Sequence, residues 1–290
     1  MRATVPAFDY YAPDTIPELL NLLGRLDSPS LIAGGTDFIP AARLKGFRPA
    51  NVVSLRNLGK ELSYVTIKDG LVRIGALTKI IDAQRSELVC TRAPCLHEAL
   101  SQIGSVQIRN RATIGGNLCN ASPAADSAPP LLVLDASVET IRQGTGRTIP
   151  LKDFFLGPGK TALEKAEVLK EVAFRPQEGG SSFEKLGRTN GEDISVASAA
   201  VLLKISGSKI SEGRIALGSV APMPMRALQA EKMLSGKEPS AALLDSVASM
   251  ASDEAVPVTD VRATAEYRKS AVKALVRSAF ARALERARGG

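Results

Sequence analysis

The sequence has one histidine, three cysteines and no tryptophan among its 290 residues. With His97 as the only histidine, the chain lacks the ligands of a common histidine-rich zinc site. A Ser-His-Asp triad would have to use His97, which lies in an apparent amphipathic helix, "APCLHEALSQI". We therefore expect a structural or surface role for this side chain, and no resident metal.

The cysteines, Cys90, Cys95 and Cys119, are odd in number and form no CxxC pair. This argues against a disulfide framework and against an iron–sulfur cluster held by four thiolates of this chain. Reduced thiols fit the cytosol. The first residues lack the apolar region of a signal peptide, and the apolar runs are too short to span a membrane. We expect a cytoplasmic location.

Aromatic residues make up only 4% of the chain, while its formal net charge is +7. The positive charge favours acidic partners or anionic ligands. A nucleic-acid surface usually combines basic runs with interleaved aromatic side chains, and the sequence shows no such pattern. A nucleic-acid partner is not expected, and a basic non-enzymatic binding module is the weakest of the functional alternatives.

The chain is long for one hydrophobic core, and a Pro/Gly/Ser cluster, "RPQEGGSS", marks a domain boundary. We predict domains at residues 1–178 and 179–290. Strands mixed with hairpins and helices predict an α+β fold for both. The segment "ISVASAAVLLKIS" fits either a helix or a strand, and helical patterns cover Arg226–Leu234, Ala241–Met250 and Thr264–Ala287.

Two glycine pairs stand far apart, in "SLIAGGTDFIP" and in "TIGGNLCNASPAADSAPP", which we interpret as a polar, turn-rich segment from Thr113 to Pro130. Glycine allows close approach of a ligand to the backbone, and successive N–H groups in a turn form an anion-binding concavity. The spacing excludes a P-loop and a dinucleotide-binding GxGxxG. We predict that both segments contribute to one concave site able to hold a diphosphate.

These segments, and several that follow, resemble the FAD-binding subunit of the molybdenum hydroxylases. The resemblance covers nearly the whole chain through "IAGGTDFIP", "IGSVQIRNRATIGGNLCNASPAADSAPPLLVLDA", "FFLGPGKT", "EVLKEV", "FEKLGRTNGEDISVASAAV", "RIALGSVAPMPMRA" and "DVRATAEYRKSAV". It implies a two-subdomain FAD-binding fold of the vanillyl-alcohol-oxidase (PCMH) type. A small C-terminal α+β domain with a three-stranded sheet and helices follows.

The resemblance also implies which residues contact FAD. Residues expected around its diphosphate are Ile32, Ala33, Gly34, Gly35, Thr36 and Asp37 from the first segment, and Thr113, Ile114, Gly115, Gly116 and Asn117 from the second. Asp126 is expected on polar groups of the cofactor, at the adenosine ribose, and Ile103 at an apolar contact. Leu169 and Lys185 match contacts near the flavin, where a lysine can stabilise negative charge on the reduced ring.

Simpler interpretations of these last residues remain open. Asp126 can instead cap a helix, Lys185 can be a solvated strand residue, and Leu169 can belong to the core. Some relatives carry an aromatic residue where this chain has Ile194, which leaves stacking on that face of the flavin in question.

The resemblance implies an oxidoreductase subunit that carries FAD but no catalytic acid or base of its own. Molybdopterin would lie on a large partner subunit and [2Fe–2S] clusters on a small one, in a dimer of heterotrimers. The FAD would collect electrons from the clusters and pass them to an external acceptor such as NAD or quinone. A self-contained flavin oxidoreductase is the main alternative.

Overall fold

The structure is a computed structural model that describes residues 5–189 and 193–289. Residues 190–192, which interrupt the quoted "FEKLGRTNGEDISVASAAV", lie outside the described residues. Within the described ranges, no helix combines the length and the apolar character that crossing a bilayer requires. Nor do histidine, cysteine and acidic side chains gather there in groups of three that could bind a metal ion.

A parallel three-stranded sheet with two helices opens the chain. Its strands have the order β1-β3-β2, and its elements are β1 (Asp9–Tyr11), α1 (Ile16–Arg25), β2 (Ser30–Ile32), α2 (Phe38–Leu44) and β3 (Asn51–Ser54). Helix α1 begins after Thr15, whose hydroxyl accepts a hydrogen bond from the Glu18 N–H at 3.3 Å, as in a capping box. The first glycine pair lies between β2 and α2.

A five-stranded antiparallel sheet, β4-β5-β10-β6-β7, forms the centre of the molecule. Before it come a 3₁₀ turn (Arg56–Leu58) and α3 (Gly59–Leu62). Its strands are β4 (Val65–Lys68), β5 (Leu71–Gly75), β6 (Ser137–Ile141), β7 (Thr148–Pro150) and β10 (Val168–Phe174). A second 3₁₀ turn (Leu151–Asp153) and a small hairpin of β8 (Phe155–Gly157) and β9 (Lys160–Thr161) follow β7.

Six short helices separate β5 from β6. They are α4 (Ile80–Arg85), α5 (Glu87–Arg92), α6 (Pro94–Ser101), α7 (Val106–Arg109), α8 (Ile114–Cys119) and α9 (Ala128–Val133). The interpretation of Thr113–Pro130 as a turn-rich segment is therefore wrong in part, since α8 and the start of α9 fall inside it. The Thr113 side chain caps α8 and so lets a helix begin at a glycine pair.

The last part of the chain is a sheet covered by helices. Its strands are β11 (Gly180–Leu186), β12 (Ala197–Ser206), β13 (Lys209–Gly218) and β14 (Met225–Arg226), and its helices are α10 (Leu228–Lys232), α11 (Ala241–Glu254) and α12 (Ala265–Gly289). The sheet has the three predicted long strands and a fourth of only two residues. Helix α12 packs on β11, β12 and α11, and its Val276 and Phe280 are buried there.

Strand β12 is buried on both faces. Ala200 and Leu202 join the core of the central sheet, whereas Val201 and Leu203 join the core beneath α11 and α12. This strand therefore ties the two parts of the molecule together. Glu98 on α6 strengthens the connection, because its carboxylate accepts hydrogen bonds from the Phe183 N–H at 2.8 Å and from Arg282 and Arg286 of α12.

Candidate functional site

A hollow of about 530 Å³ lies between the first glycine pair and α8, and we call it the amide hollow. Every predicted site residue except Ile103, Ile114, Asp126 and Lys185 lines it. Besides those predicted residues it is bounded by aliphatic side chains, by Phe38 and Phe47, by Gly159, by the Cys119 thiol and by the polar Asn120. The structure thus brings the two distant glycine segments to one concave surface.

The residues of the first glycine segment line this hollow and have unpaired backbone amides. Among the residues that the structure describes, the N–H groups from Ala33 to Thr36 donate to no protein acceptor. Gly35 has a φ of +78°, a left-handed conformation that suits glycine and turns successive N–H groups toward one side. The loop has the form of an anion-binding concavity. Unpaired amides at its surface favour a ligand with anionic oxygens.

Gly34 sits where the two glycine segments touch. A Cβ built on Gly34 would lie 1.9 Å from the carbonyl oxygen of Arg111 and 3.0 Å from the Cα of Ala112. Both of those atoms are backbone, so no side-chain rotation can relieve the overlap. The absence of a side chain at Gly34 therefore allows the first segment to approach the second.

The second glycine segment uses most of its amides inside the protein. The Ile114 and Gly115 N–H groups donate to the carbonyls of Thr78 and Ala76, at 3.0 and 2.8 Å. The Gly116 N–H donates to the Thr113 hydroxyl at 3.0 Å, and the Asn117 N–H donates to the Thr113 carbonyl. Among the described residues, the unpaired amides therefore come mainly from the first segment. The second contributes the Thr113 and Asn117 side chains and the small surface of Gly116.

One carboxylate borders the amide hollow. Asp37 precedes α2 but makes no capping hydrogen bond with its side chain. Desolvation raises the pKa of Asp37 above its ordinary value, and the nearby Lys45 ammonium acts in the opposite direction.

Asp126 and Lys185 form a buried ion pair outside the amide hollow. The Lys185 Nζ lies 2.8 Å from the Asp126 Oδ2, and each side chain is only 6% exposed. The Ser195 hydroxyl also donates to Asp126, and the Lys185 ammonium donates to the Gln102 carbonyl at 2.8 Å. Desolvation raises the pKa of Asp126, while Lys185 and Ser195 lower it. Asp126 is therefore not a helix cap, and Lys185 is not a solvated strand residue.

Lys185 also lines a second hollow of about 530 Å³, which we call the polar hollow. Its wall runs from Ser101 through α7 to Arg109, and then from Lys185 to Thr189. The sequence resemblance places Lys185 at the flavin ring and Asp126 at the adenosine ribose. An extended FAD separates these two groups by a ribityl chain and a diphosphate, whereas the two side chains are in contact at 2.8 Å. The two expectations therefore do not fit one extended FAD together.

The other predicted residues are mostly core. Ile114 is fully buried and Ile103 is 8% exposed, whereas Leu169 is buried and also borders the amide hollow. Ile194 is 61% exposed. Sequence analysis missed Phe38 and Phe47 as lining residues. The signal available was their position at the start of α2 and just after its end, following the first glycine segment.

The residues present fit FAD. The amide hollow has a volume in the usual range for small-molecule sites. It pairs four unused backbone N–H groups with a largely apolar wall, as a diphosphate joined to an aromatic base requires. The buried lysine at the polar hollow provides a positive charge at a separate point, where a ring that gains electrons can be stabilised.

Removal of the cap on α8 should weaken FAD binding. In Thr113→Val the Gly116 N–H loses its acceptor, so we expect about 1 kcal/mol less stability and roughly tenfold weaker binding. Thr15→Val is the matched control, because it removes the same kind of cap from α1. Denaturant unfolding and fluorescence titration with FAD provide the two readouts. Equal FAD affinities in the two variants would contradict a role for α8 at the cofactor.

Comparison with known proteins agrees with this geometry. Residues 6–176 match the family model of the FAD-binding domain in molybdopterin dehydrogenases. Residues 181–283 match that of the CO dehydrogenase flavoprotein C-terminal domain. The chain is 33% identical to the glyceraldehyde dehydrogenase medium chain of Sulfolobus acidocaldarius, over 95% of this chain and 98% of that one. It is 31% identical to the xanthine dehydrogenase FAD-binding subunit of Escherichia coli O157:H7, over 97% of both.

A solved structure extends the match to three dimensions. It is the carbon monoxide dehydrogenase of Hydrogenophaga pseudoflava lacking the Mo-pyranopterin moiety of the molybdenum cofactor. One chain of it superposes with a TM-score of 0.94 at 33% identity, covering 98% of this chain and 99% of that one. The predicted fold class is confirmed. The chain belongs to the FAD-binding medium subunits of the carbon monoxide and xanthine dehydrogenase family, and it is an oxidoreductase subunit that carries an FAD-binding domain.

Proposed function

We propose that this chain is the electron-transfer subunit of a molybdenum hydroxylase complex. Its FAD takes electrons from [2Fe–2S] clusters of a small partner subunit and passes them to an external acceptor such as NAD or quinone. A large partner subunit with molybdopterin oxidises the substrate. The observation that carries the proposal is the amide hollow, where two segments about 80 residues apart meet around unpaired N–H groups.

The proposed roles of the residues follow from their surroundings. The amides from Ala33 to Thr36 bind the diphosphate, and Thr113 and Asn117 hold the opposite side of it. Lys185, kept in place by Asp126, supplies positive charge beside the ring. When FAD is bound, it supplies the exchange between one-electron and two-electron chemistry.

The lining of the amide hollow favours electron transfer over a self-contained oxidase. Its titratable side chains are the Asp37 carboxyl and the Cys119 thiol, and burial raises the pKa of Cys119 to about 12. That thiol stays protonated at neutral pH and neither attacks nor accepts a proton there. Among the described residues that line this hollow, no histidine or lysine is available for acid–base work.

We place the complex in the cytoplasm, where the free thiols of Cys90, Cys95 and Cys119 remain reduced. Its assembly is a dimer of heterotrimers. We divide the chain into domains at residues 1–178 and 179–290, which is supported by the start of β11 at Gly180 and by family matches at 6–176 and 181–283.

Purification of the complex from its source cells, through a tag on this chain, tests the proposal. We expect FAD, molybdenum, iron and acid-labile sulfide to purify together. Dithionite should bleach the clusters and the flavin, and an added acceptor should reoxidise both. A complex carrying Gly34→Ala in this chain is the control. Its clusters should be reduced but should not be reoxidised by NAD or quinone.

Two results would contradict the proposal. One is a tagged chain that holds FAD and oxidises organic substrates without any partner, which would indicate a self-contained flavin oxidase. The other is a colourless chain that takes up no FAD, alone or in the complex, and binds nucleic acid in a salt-dependent way.

A further inference from the structure

The hydroxyl of Ser195 is buried next to the ion pair of Asp126 and Lys185. Ser195 is 0% exposed, so its hydroxyl has to find its acceptor inside the protein. It donates to the Oδ1 atom of Asp126, whereas Lys185 donates to the Oδ2 atom. The three side chains therefore form one chain of hydrogen bonds, in which Asp126 is held through both of its oxygens.

The backbone fixes Ser195 at this point. The next residue, Val196, is paired on both sides, because its N–H donates to the Leu186 carbonyl at 2.8 Å and its carbonyl accepts from Arg268 at 2.7 Å. Arg268 is itself a buried side chain. Ser195 therefore stays beside Asp126 unless buried hydrogen bonds of its neighbour are broken, which is costly.

Lys185 keeps one N–H group for a ligand. An ammonium group has three donors, and two of them reach Asp126 and the Gln102 carbonyl, both at 2.8 Å. Within the described part of the chain, the third donor has no acceptor. Lys185 lines the polar hollow, and none of the described residues along that wall carries a carboxylate. The remaining N–H group can therefore serve a ligand there.

We propose that Ser195 is a positioning residue for electron transfer, which holds Asp126 so that Lys185 directs its remaining N–H group into the polar hollow. The inference rests on the proposed place of Lys185 beside the flavin ring. Ser195 does not line the hollow and acts through Asp126 alone.

The Ser195 hydroxyl acts on the charge of the carboxylate. Desolvation raises the pKa of Asp126, and the hydrogen bonds from Lys185 and Ser195 oppose that rise. Among the described residues, an Asp126 without Ser195 depends on Lys185 alone, so the carboxylate draws the ammonium more strongly toward itself. The positive field in the hollow then weakens. A negatively charged reduced ring is consequently bound less tightly relative to the oxidised ring.

Anaerobic redox titration of the full chain loaded with FAD tests the proposal, with flavin absorbance measured against a reference dye. Ser195→Ala should weaken the binding of reduced FAD about tenfold relative to oxidised FAD. For a two-electron couple this is a fall of about 30 mV in the reduction potential.

Ser198→Ala is the matched control. Ser198 pairs with Lys185 across the strands β12 and β11 and is equally buried. Its hydroxyl, unlike that of Ser195, has no hydrogen-bond partner among the described residues. The control should therefore leave the reduction potential unchanged, and a fall as large as that of Ser195→Ala would overturn the inference.

A second background shows whether Ser195 acts through Lys185. The double variant Lys185→Met/Asp126→Asn lacks the ion pair and should itself have a lower reduction potential. The addition of Ser195→Ala to it should cause no further fall. An equal fall in both backgrounds would mean that the hydroxyl affects the flavin by another route, which overturns the inference.

The outcomes separate this inference from the proposed function. If the unaltered chain takes up no FAD, both fail. If the double variant has the same potential as the unaltered chain, the proposed role of Lys185 fails and this inference fails with it. If the double variant lowers the potential but Ser195→Ala does not, only this inference is overturned.

Discussion

Gly34→Ala is expected to yield a folded protein that retains almost no FAD, with affinity at least about a hundredfold lower. The new methyl group would stand 1.9 Å from the Arg111 carbonyl oxygen, so the two glycine segments have to separate. Separation moves the free amides away from the opposite wall of the hollow. Loss of two or more charge-assisted hydrogen bonds accounts for a change of this size.

Gly59→Ala is the matched control for this variant. Gly59 has a helical φ of −56°, and a Cβ there meets no atom within 4 Å. The control should retain flavin absorbance in full and melt near the temperature of the unaltered protein. Flavin absorbance after gel filtration and a fluorescence titration measure the two variants. Retention of FAD by Gly34→Ala within threefold of the unaltered chain would show that contact between the segments does not shape the site.

Lys185→Met should destabilise the protein by about 3–5 kcal/mol, because it leaves the Asp126 carboxyl buried without its cation. Among the described residues, Asp126 then keeps only its hydrogen bond from Ser195. The double variant Lys185→Met/Asp126→Asn removes the charge as well and should recover a large part of the loss. Lys204→Met is the control, because its ion pairs with Glu178 and Glu212 lie at the surface and should be worth less than 1 kcal/mol.

Lys185→Met should also reverse the usual pH dependence of stability, in which the free energy of unfolding rises with pH as paired carboxyls ionise. Desolvation already raises the pKa of Asp126 in the folded protein, and removal of Lys185 raises it further. A carboxyl whose folded pKa exceeds its unfolded pKa binds more protons when folded. Its contribution is therefore fully present below about pH 4 and is lost as the pH rises through the folded pKa.

Denaturant unfolding between pH 4 and 8 measures this dependence. Relative to the unaltered protein, Lys185→Met should lose more stability at pH 8 than at pH 4, and the double variant should show no such trend. A deficit that stays constant with pH would mean that Asp126 does not carry the buried charge.

Hydrophobic periodicity predicted the last helices of the chain well. The helical pattern at Thr264–Ala287 is present as α12, which packs on β11, β12 and α11 through buried apolar side chains. Hydrophobic patterning did not decide between a helix and a strand for β12. This strand is buried on both faces, so its sequence lacks the polar–apolar alternation that distinguishes a strand from a buried helix. Patterning failed at α8, where the glycine pair indicates a turn but the Thr113 cap permits a helix.

The sequence predicted which segments form the site. It predicted less well which atoms contact each other within it. The glycine pairs indicated where the backbone approaches a ligand. They did not indicate that the Ile114 and Gly115 N–H groups donate to the carbonyls of Thr78 and Ala76. The pairing of Asp126 with Lys185 joins residues 59 positions apart through the fold alone. No local pattern reports such a contact, since it depends on how β11 crosses the helices between β5 and β6.

A crystal structure of the chain with FAD bound tests the central claim most directly. The account predicts that the diphosphate oxygens lie within hydrogen-bonding distance, about 2.7–3.2 Å, of at least two of the N–H groups from Ala33 to Thr36. Thr113 and Asn117 should contact the same ligand from the other side. A structure in which those amides face solvent while the diphosphate binds at another surface would contradict it.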